Sequence, residues 1–342
     1  MKKWFSLLLI AVTLTLASCA TASPQPTAPS ETTAPAATVP TTPVEPSLRL
    51  TIASTQAEDS LPGQGAAAFS EKLEQLSDGN LTGTLLAGGS MGTDAEVVAL
   101  LQNGQCDLGL LPVSSLVELC PELGVLGLPF LFESYQEAQG ILKGEAGASL
   151  TESLTNAGLH CLGWMTTGFR QVTANRAVTT PAEFRGLSIH TQQDELHRSV
   201  FQALGAVPTA VNADELPDAL EQGAVDGQED TYLNIRDRDL SRVQSHMMET
   251  NHVLELSLLV MSDAAYRNLT DRQRAWLAEA ATYACDAEWA AAMEENEVAK
   301  QDCIEKGMTA ITLGRQSLVD AAGPVYDRYR EQYGPLMRLF NR

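Results

Sequence analysis

The fold of this protein is decided by residues 205–230, which read GAVPTAVNADELPDALEQGAVDGQED. Residues 207–211 form a short apolar run, which predicts a buried strand. Apolar residues at helical spacing follow Asp214, and they predict a helix that the Asp side chain caps and that Gly223 ends. Residues 225–230 then predict a polar turn in which four side chains can hold polar partners. The stretch is therefore one strand, helix and turn unit.

Strands and helices alternate from residue 48 onward. Apolar runs at 48–53, 81–86 and 106–111 predict strands. Each of the first two runs is followed by apolar residues at helical spacing, which predict a helix. This alternation predicts an α/β fold with a mainly parallel sheet, covered on both faces, whose ligands bind at the carboxyl ends of the strands. A capping box at Thr270 predicts a helix that continues to about Lys306, roughly 55 Å long at 1.5 Å per residue.

The opening stretch resembles the signature of the solute receptors of tripartite ATP-independent periplasmic (TRAP) transporters of the DctP type. The resemblance covers residues 48–342, and two departures are Pro217, where the family prefers an aromatic, and Asp230, where it has Asn. Two further segments fit, LGLPFLF at 126–132 and TGFRQVTANR at 167–176. The matching residues of the signature are Glu215, Ala219, Leu220, Gly223, Val225, Asp226, Gly227, Gln228 and Glu229.

The resemblance implies a two-lobed periplasmic-binding-protein-like fold of type II, with mixed sheets flanked by helices and a long helix that bridges both lobes. We expect lobe I to comprise residues 47–167 with 256–295, and lobe II residues 168–255 with 296–342. Such a receptor closes on one small molecule and delivers it to membrane permease subunits. It is not an enzyme, carries no cofactor or metal, and is expected to be a monomer.

Three side chains of lobe II meet the ligand in the resembling family. They correspond here to Arg170, to His190, which stands where the family has Arg, and to Asp230. Guanidinium groups match carboxylates bidentately, so Arg170 is expected to hold a ligand carboxylate. A surface salt bridge for Arg170, a structural role for His190 and a cap for Asp230 are the alternatives. The other candidate ligand-binding residues are Ser54, Phe169, Ala213 and Glu229, the last of which can instead anchor an Arg.

The two departures also predict the charge of the ligand. A neutral His190 in place of Arg and Asp230 in place of Asn move the site by up to two units toward negative charge. Ala213 stands where the family often has an aromatic residue, which should widen the pocket. The sequence therefore predicts a neutral or zwitterionic polar ligand, such as an amino acid or a polyol-like acid, over succinate-like diacids.

The N-terminus predicts export and lipid anchoring. Lys2 and Lys3 precede an apolar run, residues 4–16, that is shorter than the roughly 20 residues of a spanning helix. Residues 1–19 end in Leu-Ala-Ser-Cys, which resembles the lipobox of bacterial lipoproteins and would make Cys19 the acylated first residue. Residues 20–46 hold seven of the 16 prolines and predict an extended tether. The protein is therefore expected on the extracytoplasmic side of a bacterial membrane.

Composition excludes other classes of partner. The formal net charge of −21 disfavours nucleic acid and a peripheral hold on an anionic membrane surface, because both need clustered Lys and Arg. The remaining cysteines have no metal-ligand spacing and are expected to be mostly core thiols; they are Cys106, Cys120, Cys161, Cys285 and Cys303.

Two alternatives stay open from the sequence. A receptor of an ATP-driven (ABC) import system belongs to the same class, and the Asp226 to Glu229 block argues against it. A secreted serine hydrolase would use Ser90, because residues 88–92 form a Gly-x-Ser-x-Gly pattern between a strand and a helix. Against the hydrolase, the following helix is capped at Thr93, and no triad partner stands in a recognisable loop.

We predict that Cys19 carries lipid in the native protein, because it ends a lipobox-like motif and is followed by an extended segment that would connect the folded protein to the lipid. Mass spectrometry of protein purified from membranes should find acyl chains on this residue. Recovery of a downstream N-terminus from the soluble fraction of cells would contradict the prediction.

Overall fold

The computed structural model describes residues 45–340 of the chain. The signal segment with Cys19, and all of the predicted tether up to residue 44, lie outside the described residues. Within residues 45–340 the strands are β1 (Leu48–Ala53), β2 (Leu81–Leu86), β3 (Leu108–Pro112), β4 (Leu159–Ala174), β5 (Ser188–His190), β6 (Val207–Thr209), β7 (Gly227–Thr231), β8 (His246–Glu249), β9 (Leu254–Ser262) and β10 (Thr309–Thr312).

Helices separate most of these strands, and short 3-10 turns complete the connections. In the same residues the α-helices are α1 (Leu61–Leu76), α2 (Asp94–Gln102), α3 (Val113–Leu116), α4 (Tyr135–Leu142), α5 (Glu145–Asn156), α6 (Glu195–Ala203), α7 (Leu216–Glu221), α8 (Tyr232–Asp237), α9 (Asp263–Arg267), α10 (Asp271–Glu305), α11 (Arg315–Ala321) and α12 (Gly323–Leu339). The 3-10 turns are Pro121–Gly127, Pro181–Phe184, Ala213–Glu215 and Leu240–Arg242. None of the described helices is both long and apolar enough to cross a membrane.

The strands form two mixed sheets that share β4. In lobe I, β1 lies parallel to β2 and β3, and β9 runs antiparallel between β3 and β4. In lobe II, β5 lies parallel between β6 and β7, while β7 and β8 both run antiparallel to β4. The α/β class and the two-lobed arrangement are thus as predicted. The sheets are less parallel than strand and helix alternation suggested, because β7, β8 and β9 all run antiparallel to the long strand β4.

Strand β4 is longer than the sequence predicted. The apolar run 160–165 indicated a strand that closes the first lobe, but β4 continues to Ala174 and enters the second sheet. Its register against β9 shifts between Thr166 and Gly168, and Gly168 has φ of 115°, a conformation that side-chain-bearing residues rarely adopt. A single strand with a bulge therefore carries the chain from one lobe to the other.

Residues 225–230 are not the polar turn that the sequence predicted. Residues 227–231 form β7, whose five residues are all buried, between β4 and β5. Its polar side chains have partners inside the protein: Gln228 Nε2 donates to Thr173 Oγ1 at 3.1 Å, and Glu229 pairs with Arg170. Among the described residues, only Oε1 of Gln228 lacks a partner in this strand. Periodicity rules miss such a strand because buried polar groups need partners from other elements, and the local sequence does not reveal them.

Helix starts were predicted with mixed success. Thr93 and Thr270 form capping boxes with Glu96 and Gln273, as their spacing indicated. Asp214 does not cap α7, because it lies within a 3-10 turn and the helix begins two residues later without a side-chain cap.

Helix α10 packs against both lobes, which confirms the bridging helix. Its N-terminal half contributes to the core beneath β1 and α1, and its C-terminal half to a second core beneath α7 and α8. Trp289 Nε1 donates to the carbonyl of Trp164 at 2.8 Å, and Asn296 Nδ2 donates to the carbonyl of Thr167 at 2.9 Å. The helix thereby binds β4 ahead of its bulge and at the bulged residue itself.

The C-terminal helix and the cysteines complete the core. Helix α12, which falls in the predicted range of lobe II, packs against loops of lobe I through Val325, Tyr333 and Met337, and the same cluster includes Leu196 and Ala203 of α6. Its assignment to lobe II therefore stays a prediction. The five described cysteines are free thiols, and all but the half-buried Cys161 are buried, as predicted for core thiols.

Glu288 of α10 is buried against the crossing strand. Both of its carboxylate oxygens accept from the backbone N–H of Thr166 at 3.1 Å, and the residue is only 4% exposed. Burial raises the pKa of Glu288 to about 8, although the Thr166 hydrogen bond opposes the shift. The folded protein therefore retains a proton on this carboxyl that the unfolded chain releases at lower pH.

We predict that the Glu288→Gln variant loses less stability than the wild type as pH rises. A raised pKa in the folded state means that stability falls between the ordinary carboxyl pKa and about 8, because the folded protein binds more protons. The amide still accepts from Thr166 and does not ionise. Urea unfolding at pH 5 and pH 9, with the exposed Glu279→Gln as control, measures the effect. An equal difference from wild type at both pH values would contradict it.

Candidate functional site

A cleft of about 430 Å³ lies where β4, β5, β7 and β9 meet. Its walls come from both lobes: in lobe I, Gln56 of the loop after β1 donates from Nε2 to Oγ of Ser257 in β9 at 3.0 Å. Six lining side chains can carry charge, and they are Arg170, His190, Glu229, Asp230, Arg238 and Glu255. This cleft is the candidate ligand site.

Arg170 lies in β4 just beyond the bulge, and its side chain is only 5% exposed. Its Nε pairs with Glu229, its Nη1 donates to Glu255 Oε2 at 2.6 Å, and its Nη2 donates to the carbonyl of Glu229 at 2.9 Å. Burial opposes the charge, but the surrounding carboxylates raise the pKa of Arg170 well above its usual value. The guanidinium is therefore permanently charged and fixed in orientation, with two of its five N–H groups left over.

Glu229 anchors Arg170 from the neighbouring strand, which is the alternative that the sequence favoured for it. Its other oxygen accepts from Thr191 Oγ1 at 2.8 Å, and His252 Nε2 lies 3.1 Å from Oε2. Burial would raise the pKa of Glu229, yet Arg170 and His252 hold it well below its usual range. Burial lowers the pKa of His252, so its neutral ring donates from Nε2 and Nδ1 accepts from Thr250 Oγ1 at 2.9 Å.

His190 reaches the cleft from the end of β5. Its Nδ1 accepts from the backbone N–H of Val211 at 3.2 Å, and burial lowers the pKa of the ring. A neutral His whose Nδ1 accepts must carry its proton on Nε2. The side chain can therefore donate one hydrogen bond to a ligand oxygen without adding charge.

Asp230 combines the two roles that the sequence left open. Its Oδ1 accepts from the N–H of Thr231 at 2.8 Å and from Asn234 Nδ2 at 2.7 Å, so it braces the start of α8. It also lines the cleft, with Oδ1 3.5 Å from Arg170 Nη1 and Oδ2 3.5 Å from Arg238 Nη1.

Sequence reasoning missed several lining residues, among them Gln192, Arg238 and Glu255. Arg238 follows α8 and brings a second guanidinium to the cleft, with its side chain 37% exposed. Glu255 of β9 accepts from Arg170 and, at 3.1 Å, from Gln192 Nε2. The resemblance carries no motif residue at these positions; only the apposition of α8 and β9 with β4 reveals them.

The cleft does not bring together every predicted residue. Ala213 lines it, but the hydroxyl of Ser54 is buried and donates to the carbonyl of Leu110 at 3.0 Å. Phe169 packs edge-on against Tyr135 and lines a different cavity of about 300 Å³. Alternation along β4 explains the second case, because Phe169 and Arg170 are consecutive and point to opposite faces.

Ser90 has no catalytic surroundings. The turn that carries it is exposed, and α2 begins four residues later behind Thr93. Among residues 45–340 no His or Asp side chain contacts the Ser90 hydroxyl, so the pattern at 88–92 is a glycine turn and not a nucleophile elbow.

The charges of the cleft nearly cancel. Three carboxylates, from Glu229, Asp230 and Glu255, face the guanidinium groups of Arg170 and Arg238, so the formal sum is −1 when His190 is neutral. Sequence reasoning recognised neither Arg238 nor Glu255, and the charges of these two side chains offset one another. The predicted shift toward negative charge, relative to the family pattern, therefore stays a prediction.

We predict that Arg170→Met destabilises the protein by about 3–5 kcal/mol, because it leaves Glu229 as a buried and largely uncompensated charge. Urea denaturation measures the loss. The matched control is Arg330→Met, whose exposed pair with Asp327 should contribute no more than about 1 kcal/mol. Similar losses for the two variants would show that the buried pair is not a structural anchor.

Comparison with known proteins agrees with this geometry. Residues 52–332 match the family model DctP, described as bacterial extracellular solute-binding protein, family 7. The C4-dicarboxylate-binding periplasmic protein DctP of Rhodobacter capsulatus is 29% identical over 286 residues, which cover 81% of this chain and 85% of that protein. The first curated relative, an uncharacterized protein of Sinorhizobium fredii, is 36% identical over 205 residues, but the alignment spans only 38% of its length.

Solved structures share the fold along nearly the whole described chain. A TRAP periplasmic solute-binding protein from Ochrobactrum anthropi, with its C-terminus bound in the ligand-binding pocket, aligns with a TM-score of 0.83 and 28% identity over 86% of this chain and 95% of that one. A second, from Polaromonas sp. JS666 bound to D-erythronate, aligns with a TM-score of 0.76 and 26% identity over 85% and 97%. The chain belongs to the DctP family of bacterial extracellular solute-binding proteins, and it has the two-lobed fold of TRAP receptors.

Proposed function

We propose that this receptor binds a small molecule bearing one carboxylate in the cleft between its lobes and delivers it to TRAP permease subunits. The observation that carries the proposal is the buried, permanently charged guanidinium of Arg170 at the wall of a 430 Å³ cleft, with Arg238 beside it. Guanidinium groups bind carboxylates through paired hydrogen bonds, and these bonds are stronger away from water. The protein from R. capsulatus is named for binding C4-dicarboxylates, and the protein from Polaromonas was solved with D-erythronate bound.

The local charges favour a single carboxylate over two. A monocarboxylate brings the formal sum of the cleft from −1 to −2, and a dicarboxylate would bring it to −3. Like charges within a low-dielectric cleft repel, so the second carboxylate must be compensated by a cation that the cleft does not supply. An ammonium or several hydroxyl groups on the ligand avoid this cost, because Asp230 and Glu255 accept hydrogen bonds and His190 donates one.

The setting in the cell follows from the family and the N-terminus together. Relatives are periplasmic or extracellular receptors, and the lipobox-like residues before Cys19 support attachment to the membrane through lipid. A tether of the length predicted for residues 20–46 gives the two lobes room to reach membrane permease subunits. Residues 47–167 with 256–295, and 168–255 with 296–342, are the proposed lobes, and we propose that the receptor acts as a monomer.

We predict that a thermal-shift panel finds monocarboxylates bearing hydroxyl or ammonium groups as stronger ligands than C4-dicarboxylates. A ligand at 100 times its dissociation constant stabilises the fold by roughly 2.7 kcal/mol, which a melting curve resolves. Glu255→Gln and Asp230→Asn should each improve dicarboxylate binding, because each removes a negative charge from the cleft.

The matched control for these variants is Glu279→Gln, on the exposed face of α10, which should leave the whole panel unchanged. Strong stabilisation of the wild type by succinate, without further gain in either cleft variant, would contradict the charge argument. Failure of every carboxylate to bind would contradict the proposed function itself.

A further inference from the structure

A second cavity adjoins the candidate site. Its volume is about 300 Å³, and it is enclosed by β9, the loops around α3 and residues 123–127 of lobe I, the start of α6, and α12. Gln192 and Glu255 line both this cavity and the ligand cleft. The two spaces therefore share a wall, which these two side chains form.

The partition between the two cavities is slight. Gln192 Nε2 donates to Glu255 Oε2 at 3.1 Å, and this single hydrogen bond joins two long, flexible side chains. Glu255 keeps a second partner in Arg170 if Gln192 moves away. Rotation of Gln192 alone would therefore open a passage without breaking the buried ion pair.

The second cavity is mainly apolar, unlike the cleft. Aliphatic side chains such as Val117, Leu126 and Leu256 and the ring of Tyr333 form most of its wall. Its acidic residues are already paired, Asp194 with His197 at 2.7 Å and Glu195 with Arg328 at 2.8 Å. A cavity of about 150 Å³ lined by apolar side chains holds a benzene molecule, so this space has room for a ring or a branched chain.

One polar atom in the wall has no partner. His197 is only 7% exposed, lines the cavity, and has no hydrogen-bond partner for Nε2 among the described residues. Buried polar atoms are rarely left unpaired in native proteins. The Nε2 atom of His197 is therefore available to form a hydrogen bond with a ligand that enters this cavity.

We propose that the second cavity is a subsite for an apolar arm of the ligand, so that the receptor takes carboxylates whose 2-substituent is a branched or aromatic chain. The carboxylate lies at Arg170 and Arg238, the arm passes beside Gln192, and its far end lies near His197. This inference rests on the proposed function and adds the class of solute to it. Burial of the apolar arm contributes favourable binding free energy. The charges of the cleft nearly cancel, so they contribute little net attraction for an anion.

The test is calorimetric titration with a series of 2-hydroxy acids: glycolate, lactate, 2-hydroxy-4-methylpentanoate and 3-phenyllactate. Affinity should rise by roughly fourfold for each methylene that the arm buries. If the longer acids bind no more tightly than lactate, the proposed subsite is wrong, but the proposed function still stands. Failure of all four acids to bind would instead contradict the proposed function.

Variants at Val117, which lines only the second cavity, test whether the apolar arm of the ligand lies there. Val117→Phe should fill the cavity and abolish the gain of the longer acids, while the affinity for glycolate and lactate stays within about twofold. Val117→Ala should shift the optimum toward the larger arm of 3-phenyllactate, so the test survives if the Phe variant fails to fold. Val298→Phe, at a 44% exposed position of α10, is the matched control. Equal effects of the Val117 variants on short and long acids would overturn the assignment.

Discussion

The structure depends on the buried pair of Arg170 and Glu229. Arg170 belongs to β4, the strand that crosses between the lobes, and Glu229 belongs to β7, the neighbouring strand of lobe II. The ion pair therefore links these two strands at the wall of the ligand cleft. Either charge alone would be costly in an interior that excludes water. With His252 and Thr191 completing the shell of Glu229, the guanidinium is held in one orientation, and it contributes a positive charge that does not change with physiological pH.

The same crossing strand joins the two sheets at a tightly packed point. Strand β4 passes from one sheet to the other, and α10 binds the carbonyl of Trp164 ahead of the bulge and the carbonyl of Thr167 within it. Gly168 could not carry a side chain here, because a Cβ atom would lie 2.5 Å from the Asn296 amide. The bulged segment is thereby held against α10, while each lobe keeps its own core.

Charge in the cleft illustrates how a family motif can change without loss of the site. The motif position in β5 holds a neutral His190 in place of a guanidinium, and Arg238 brings a guanidinium to the same cleft from the end of α8. Glu255 adds a carboxylate from β9 that occupies one edge of Arg170. Such exchanges alter which ligands are favoured, because the local sum of charges decides whether a further anion is repelled.

The sequence by itself determined the fold class, the family, the long bridging helix and most of the helix caps, because periodicity and capping are local properties that a few residues specify. It also identified Arg170, His190, Ala213 and Asp230, which the structure places around one cleft. Only the tertiary structure revealed that residues 227–231 are a buried strand, that Ser54 and Phe169 lie away from the cleft, and that Arg238, Gln192 and Glu255 line it. These outcomes depend on which side chains distant strands and helices bring within hydrogen-bonding distance, and no pattern within a single segment contains that information.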